Sequence, residues 1–397
     1  SGLNYGSHNL DSLVKTQCLK TNSHNFTSLN TSMSVFDTKT NPAICVFPWV
    51  HEYRNLNGKT APCCHGNALR VDESLSKIRK QMLDGIKPRA CDTCYKKEAE
   101  NNFSPRIEET INWIKKFGEP DINNPVLQFV DIRYDPTCNL KCKICGPALS
   151  TLWQKEKKVS LPINSANKEY LNGIDKRQLK KVYLAGGEPT YIKGYLEFLE
   201  ELILVNQECE VIINTNLKKL PLQWREIIKK IKNLTIVCSC DSIGTLGTYV
   251  RYPLGWNEFE DNVRFVSEHA NFLQFNLVAS NLTTHKLYET CAWMKQYSNN
   301  INIIILDEPE SMSELAVPHA DRGVYIDSIA KLEKFPVSVY YATNFRSKIQ
   351  YLLTKYHDAV YDESLHKTLQ REISEQDSHR SLQLQDVDTF LYGWIYR

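Results

Sequence analysis

The sequence contains no apolar run near the eighteen or so residues that a bilayer crossing needs, and no charged-then-apolar start of the secretory type. Those absences create the expectation of a soluble, cytoplasmic protein. Neither charge dominates: 48 basic and 46 acidic residues leave a net charge of +2. A strongly basic nucleic-acid surface and an acidic tail are therefore unsupported. No repeat is visible beyond an alternation of short β-rich and amphipathic stretches.

What is present is a chain of 397 residues with 42% hydrophobic content, enough for a large domain with an accessory one. Thirteen cysteines is an odd number, and a chain of this size needs no disulfide staples. Metal or cluster chemistry in a reducing compartment fits that count better.

Composition divides the chain into four parts. Residues 1–43 are rich in Ser, Asn and Thr and read as a loosely ordered arm. Residues 44–118 carry five cysteines, turn residues and a helical stretch near Leu75 to Leu83, the texture of a small module organised by metal. Residues 119–310 hold six β-rich runs, Leu127 to Tyr134, Val182 to Ala185, Val211 to Asn214, Leu234 to Cys238, Phe272 to Val278 and Ile301 to Leu306. Helical candidates lie between them, a pattern that predicts an α/β fold with six parallel strands in a partial, TIM-like (β/α)6 barrel. Residues 311–397 read as a helical extension that packs on the barrel or covers one mouth.

The most specific local feature is the run Asp135-Pro-Thr-Cys-Asn-Leu-Lys-Cys-Lys-Ile-Cys-Gly146. Three thiolates at this spacing, Cys138, Cys142 and Cys145, can hold three corners of a cubane iron–sulfur cluster and leave the fourth iron open. The competing reading is a zinc knuckle, although the local run offers no fourth Cys or His. The run follows the first predicted strand, and Gly186-Gly187-Glu188-Pro189 follows the second. Reacting groups of parallel barrels sit at such strand ends.

The C-x3-C-x2-C run with its Cys-Asn-Leu-x-Cys filling resembles the radical S-adenosylmethionine (SAM) enzymes, and Gly-Gly-Glu-Pro resembles that family's second motif. The resemblance implies a [4Fe-4S] cluster on Cys138, Cys142 and Cys145 that binds SAM, cleaves it reductively and releases a 5'-deoxyadenosyl radical. It further implies SAM contacts from Gly186, Gly187 and Glu188, the carboxylate facing the methionyl ammonium. Ile144 would supply an apolar wall where relatives carry an aromatic near adenine. Asn214-Thr215-Asn216 stands where relatives have Thr-Asn-Gly, with Asn in place of glycine. Ser239 would face the ribose and Arg251 the SAM carboxylate, while Asp241 serves the same segment or caps its loop.

Cys45, the pair Cys63 and Cys64 within a Gly-x4-Cys segment, and Cys91-Asp-Thr-Cys94 resemble the twitch and SPASM auxiliary-cluster modules, here ahead of the barrel. Cys45, Cys63, Cys91 and Cys94 would fully ligate a second [4Fe-4S] cluster, with Cys64 able to replace Cys63; a structural zinc site is the competing reading. Cys209, Cys238 and Cys291 read as core, and Cys240 as core or a hydrogen-atom donor. The function expected is hydrogen abstraction from a substrate, leaning to peptide or protein modification, with a flavodoxin or ferredoxin as electron donor. Small-molecule dehydrogenation or rearrangement, RNA modification, and a noncatalytic zinc- or cluster-binding interaction protein are the alternatives.

Overall fold

The computed structural model describes residues 34–54, 60–66, 74–99, 104–133, 135–161, 171–306 and 308–397. Most of the predicted arm, with Cys18, and Tyr134 at the end of the first predicted strand lie outside these residues. Among the described residues, eight strands form one sheet in the order β2-β1-β3-β4-β5-β6-β7-β8. They are β1 His51–Arg54, β2 Thr60–Ala61, β3 Phe129–Ile132, β4 Lys181–Leu184, β5 Glu210–Thr215, β6 Asn233–Ser239, β7 Phe272–Ala279 and β8 Ile301–Ile305. From β3 to β8 every pairing is parallel, so the six strands expected from the sequence form the partial barrel.

Alternation within the strands separates two environments. In β5, Val211, Ile213 and Thr215 are buried, whereas Ile212 and Asn214 keep some exposure on the opposite face. The first set packs under helices and the second lines the barrel interior, as the two-residue period of a strand requires. The helix Lys193–Val205 meets the outer face with Tyr195, Phe198, Leu199 and Leu202, spaced as one stripe of a 3.6-residue turn, and leaves Leu204 82% exposed.

Beyond the six strands, the amino-terminal segment adds β1 parallel to β3, and β2 antiparallel to β1. Sequence periodicity did not reveal these strands because four and two residues are too short to show one. A second core of Phe36, Ile44, Val46, Trp49, Ile78, Met82 and Trp113 includes Phe129 of β3, so this segment and the barrel share a residue of packing. Its helix Pro105–Phe117 starts at Ser104, whose hydroxyl accepts from Ile107 N, and stops at Gly118 with φ +80°.

The carboxyl-terminal helices Val339–Asp358 and Glu363–Arg380 complete the molecule. Phe345, Ile349, Leu352 and Tyr356 form the buried stripe of the first, which packs beside β8. The second begins at Asp362, whose carboxylate accepts from Ser364 N and Leu365 N. It reaches the loop that follows β3.

Phe275, fully buried in β7 against Trp293 at 5.9 Å, tests this packing. Phe275→Ala is expected to lower unfolding free energy by about 3–5 kcal/mol in urea titrations, and Leu204→Ala on the solvent face by no more than about 0.5 kcal/mol.

Candidate active site

The cysteine loop leaves β3 and folds back on the turn after β4. Thr137 N donates to Asp135 Oδ1 at 2.7 Å, closing the first turn. Gly187 N and Glu188 N then donate to the carbonyls of Asp135 and Thr137, each at 2.8 Å. A Cβ at Gly187 would lie 2.2 Å from Thr137 O, and one at Gly186 2.8 Å from Asp135 O, with Gly186 also at φ +123°. The two glycines are thus required by the cysteine loop's own backbone, which approaches as closely as a ligand was expected to.

Other contacts fix the rest of the loop. Lys141 N and Lys143 N donate to the carbonyls of Tyr252 and Val250, both at 2.7 Å. Ser150 Oγ donates to Leu140 O at 2.6 Å, and Trp153 Nε1 to Cys142 O at 2.9 Å. All three cysteines are half-buried, and Ile144 packs beside Cys138 and Cys142 at the margin of the main core. Burial and the neighbouring Cys142 push the thiols of Cys138 and Cys145 up to about 12. Burial also raises Cys142, and Arg251 is the first group to oppose it. Such thiols give up their protons to a bound metal, which replaces the proton as the cation.

Glu188 is 1% exposed and saturated from within. Its Oε1 accepts from Thr190 N at 3.1 Å, Thr190 Oγ1 at 2.7 Å and Thr215 Oγ1 at 2.6 Å, and its Oε2 from Asn216 N at 2.7 Å. Burial raises this carboxyl and the four donors oppose it. The group ties the end of β4 to the end of β5. Asn216, which the sequence offered only as a glycine substitute, donates to Asn139 Oδ1 at 2.8 Å and approaches Cys138 Sγ at 3.8 Å. The left-handed residue of this turn is Leu217, at φ +49°, so Leu217 rather than Asn216 stands where a glycine would be at ease. Leu217 is held there by Thr215 Oγ1 on its N–H at 3.1 Å and Asn262 Nδ2 on its carbonyl at 2.9 Å.

The ends of β5 and β6 supply the remaining predicted contacts. Ser239 Oγ donates to Asn214 Oδ1 at 3.3 Å. Arg251 donates to Asp241 Oδ2 at 2.7 Å, and Asp241 Oδ1 accepts from Val278 N at 3.0 Å, so Asp241 braces the end of β7. Arg251 Nε, Ser242 Oγ and Asn139 Nδ2 are buried without partners among the described residues. Donors of this kind around a three-thiol loop fit a ligand bearing a carboxylate and hydroxyls. Cys240 lies in the main core, 1% exposed, with its thiol 3.4 Å from Ser242 O. Cys209, Cys238 and Cys291 are buried there as well.

A second thiol group lies at the other end of the strands. Cys45, Cys63, Cys91 and Cys94 line one small pocket with Phe47, His65 and Arg106. Cys45 precedes β1, which runs parallel to β3, and the chain after β2 returns to the same end, where His51 Nδ1 meets Pro62 O at 3.0 Å. The pocket is therefore at the amino ends of the strands, opposite the loop of Cys138, Cys142 and Cys145. Gly66 lets the Cys63 turn pass under Ala90, since a Cβ there would meet Ala90 O at 3.1 Å. Arg106 joins the pieces, donating to Glu98 at 2.9 and 2.7 Å and to the carbonyl of Ile44.

Burial pushes Cys45 up to about 12, and burial with the Cys45 charge does the same to Cys63. Among the described residues no three His, Cys, Asp or Glu side chains close on a single ion position. A cubane takes one thiolate per iron, so four thiols spread around a pocket have the donor chemistry it needs. Cys64 turns away from this pocket and faces Asp131 and Arg133.

A cavity of about 490 Å³ lies on the inner face of the strands. Asp131, Lys181, Tyr183, Thr235, Gln274, Asn276 and Asn302 line it from the strands, and Cys63, Cys64 and His65 border both it and the amino-terminal end. Arg133 donates to Asp131 at 2.7 and 2.9 Å and lies 4.9 Å from the centre of the Tyr183 ring. Gln274 and Asn302 both donate to Asn276 Oδ1, at 2.9 and 3.0 Å, and Lys348 donates to Asn302 Oδ1 at 2.8 Å. Sequence patterning hid this lining, because polar positions alternating in a strand read as solvent-facing.

Two measurements test the site. Gly187→Ala, with no space for its methyl group, is expected to cost about 2–3 kcal/mol in unfolding titrations and to lower iron uptake on anaerobic reconstitution. His51 is held neutral by burial, which lowers its pKa to about 4 from 6.5. Its contribution to stability is complete above pH 6.5 and is lost as pH falls from 6.5 towards 4, because the unfolded chain protonates first. Urea midpoints measured across that range should fall less steeply for His51→Gln.

Comparison with known proteins places this geometry. Residues 132–248 match the model of the radical SAM superfamily. A GTP 3',8-cyclase of Helicobacter pylori (strain ATCC 700392 / 26695) is 31% identical over 96 residues, 24% of this chain and 29% of the relative. The counterpart from strain HPAG1 is 30% identical over the same shares. The chain thus spans less than a third of the length of these curated relatives. Among solved structures, anSMEcpe with bound AdoMet is similar at 18% identity over 52% of this chain and 60% of that one, with a TM-score of 0.37. Streptococcus suis SuiB bound to S-adenosylmethionine is similar at 16% identity over 75% of this chain and 67% of that one, with a TM-score of 0.36. Residues 132–248, the segment that matches the radical SAM superfamily, hold both the three-cysteine loop and the Gly-Gly-Glu-Pro turn.

Proposed function

We propose that this protein is a two-cluster radical SAM enzyme that abstracts hydrogen from a polar substrate held in the barrel, with peptide or protein side chains as the favoured class. The observation that supports this reading is that three thiols gather on the loop at the carboxyl end of β3 and four line a pocket at the amino ends of the same sheet, whose strands also line a polar cavity. In this reading residues 44–118 are an auxiliary-cluster module ahead of the barrel at 119–310, and 311–397 are a helical extension. A [4Fe-4S] cluster on Cys138, Cys142 and Cys145 supplies, with SAM and a low-potential electron donor such as flavodoxin or ferredoxin, reductive cleavage to a 5'-deoxyadenosyl radical.

The chain's residues do the positioning. Gly186 and Gly187 set the cysteine loop against the strand ends, and Glu188 locks the turns after β4 and β5. Arg251, with an unpartnered Nε beside Cys142, is suited to the SAM carboxylate. Ser239 and Asn214 offer hydroxyl and amide groups to the ribose, and Ile144 an apolar surface to the adenine. Cys45, Cys63, Cys91 and Cys94 would occupy every iron of the second cluster, which leaves no iron free to anchor substrate and suits electron transfer or bracing. The side-chain amides of Gln274, Asn276 and Asn302 can hydrogen-bond an amide or hydroxyl of the substrate while water is displaced.

A small-molecule substrate is the second reading, favoured by the similarity of 96 residues to GTP 3',8-cyclases. Anaerobic reconstitution is expected to give about eight irons per chain, two cubanes' worth. Removing Cys138, Cys142 and Cys145 together should leave about four irons and abolish 5'-deoxyadenosine formation; removing Cys91 and Cys94 should also leave about four, with SAM cleavage retained. A colourless zinc protein that forms no 5'-deoxyadenosine sinks the enzyme reading. Mass spectrometry of deuterium passed from substrate to 5'-deoxyadenosine, in peptide and small-molecule pools separately, decides between the substrate classes.

A further inference from the structure

The helix Glu363–Arg380 meets the cysteine loop with two side chains three residues apart on one face. Asp377 accepts from the Lys143 ammonium at 2.5 Å and from the Tyr249 hydroxyl at 2.9 Å. Lys143 lies between the second and third cysteines, and its side chain has no exposed surface. Arg380, equally enclosed, donates twice to Glu156, at 3.1 and 2.9 Å. Glu156 also pairs with Lys141 of the loop.

The Arg380 guanidinium lies 4.7 Å from the ring centre of Trp153 and 5.5 Å from that of Tyr252. Both residues are bonded to the loop: the Trp153 ring Nε1 donates to Cys142 O, and the Tyr252 backbone carbonyl accepts from Lys141 N. Arg380 therefore backs the segment that carries Cys142. In this group Lys141, Lys143 and Arg380 face Asp377 and Glu156, three positive charges against two negative. One Arg380 nitrogen, NH1, is buried with no partner among the described residues. An enclosed guanidinium with a spare donor is costly unless negative charge stands close by.

We propose that Arg380 is a positioning residue of the cluster loop whose guanidinium, left in excess over the two carboxylates, makes a cluster on Cys138, Cys142 and Cys145 easier to reduce. The proposal rests on the reading that these cysteines hold that cluster. Three thiolates make a [4Fe-4S] centre anionic, and reduction adds one more negative charge, so a fixed cation favours the reduced form.

The test is an EPR-monitored redox titration of the full, reconstituted protein, following the cluster signal that changes when SAM is added. Arg380→Gln, which cancels the excess charge, should lower the midpoint potential. Glu156→Gln, which adds to the excess, should raise it. Arg380→Lys, which keeps the charge, should stay near the wild-type value, as should Arg371→Gln on the exposed face of the same helix. A purely structural role would change cluster content and leave the potential of the retained cluster unmoved. If Arg380→Gln takes up no iron, Glu156→Gln decides alone. Unchanged potentials, or shifts of one sign in both variants, overturn the proposal and leave the cluster reading standing. An unaltered protein that acquires no SAM-responsive signal overturns the reading beneath it.

Discussion

The closest approach in the site is between the turn after β4 and the loop after β3, and the rest of the site is built around it. With Thr137 O at 2.2 Å from where a Gly187 side chain would begin, the cysteine loop can lie flat on the neighbouring strand end only because that position has no side chain. Two backbone hydrogen bonds of 2.8 Å then hold the loops together, and Tyr195, from the next helix, places its hydroxyl 3.1 Å from Ile132 O and 2.8 Å from Ala185 O beneath them. The loop's conformation, and so the disposition of its three thiols, follows from a contact between two adjacent βα units. Glu188 extends the same logic to the third unit through Thr215 and Asn216. Residues that the motif resemblance assigns to a ligand also act here as joints.

What was legible in the sequence was what repeats or what is chemically rare. The six parallel strands could be read because each is a run of β-branched and aromatic residues separated by amphipathic helices, and two cysteine groups could be read because thiols at such spacing have few other uses. Long-range placement was not legible. Nothing local in His51–Arg54 says that it pairs with Phe129–Ile132, yet that pairing sets the four-thiol pocket at the amino ends of the strands. The choice between Cys63 and Cys64 likewise turns on which way the chain runs after β2. Cys63 joins Cys45, Cys91 and Cys94, while Cys64 enters the barrel beside Asp131 and Arg133. The misplaced left-handed turn residue had a subtler cause, since Leu217 is a poor candidate by conformational preference alone. A hydrogen bond from its N–H to Thr215 Oγ1 and one from Asn262 Nδ2 to its carbonyl hold it at φ +49°.

The carboxyl-terminal extension shows how distant sequence can serve a local motif. Lys143 and Asp377 are far apart in the chain, and neither is informative alone. A lysine between two cysteines reads as solvent-facing, and an aspartate near a helix end as ordinary surface. Folded, they form a buried pair whose separation would leave an unpaired charge beside the cysteine loop, a loss on the order of 3–5 kcal/mol. The helix is therefore coupled to the integrity of the loop by charge as well as by packing.

The two thiol groups also constrain what can be chemically connected. They occupy opposite ends of one strand layer, and the cavity on the inner face of that layer is lined by carboxylate, guanidinium, ammonium, phenol and amide groups. Asp131 and Arg133 neutralise one another at 2.7 and 2.9 Å, and the Gln274, Asn276 and Asn302 amides bond among themselves. Such a lining stays satisfied before a guest arrives, so a guest must replace hydrogen bonds of similar quality to displace water or rearrange the amides. Selection inside the barrel then favours hydrogen-bonding groups over aliphatic ones, because an aliphatic group would strand these donors and acceptors.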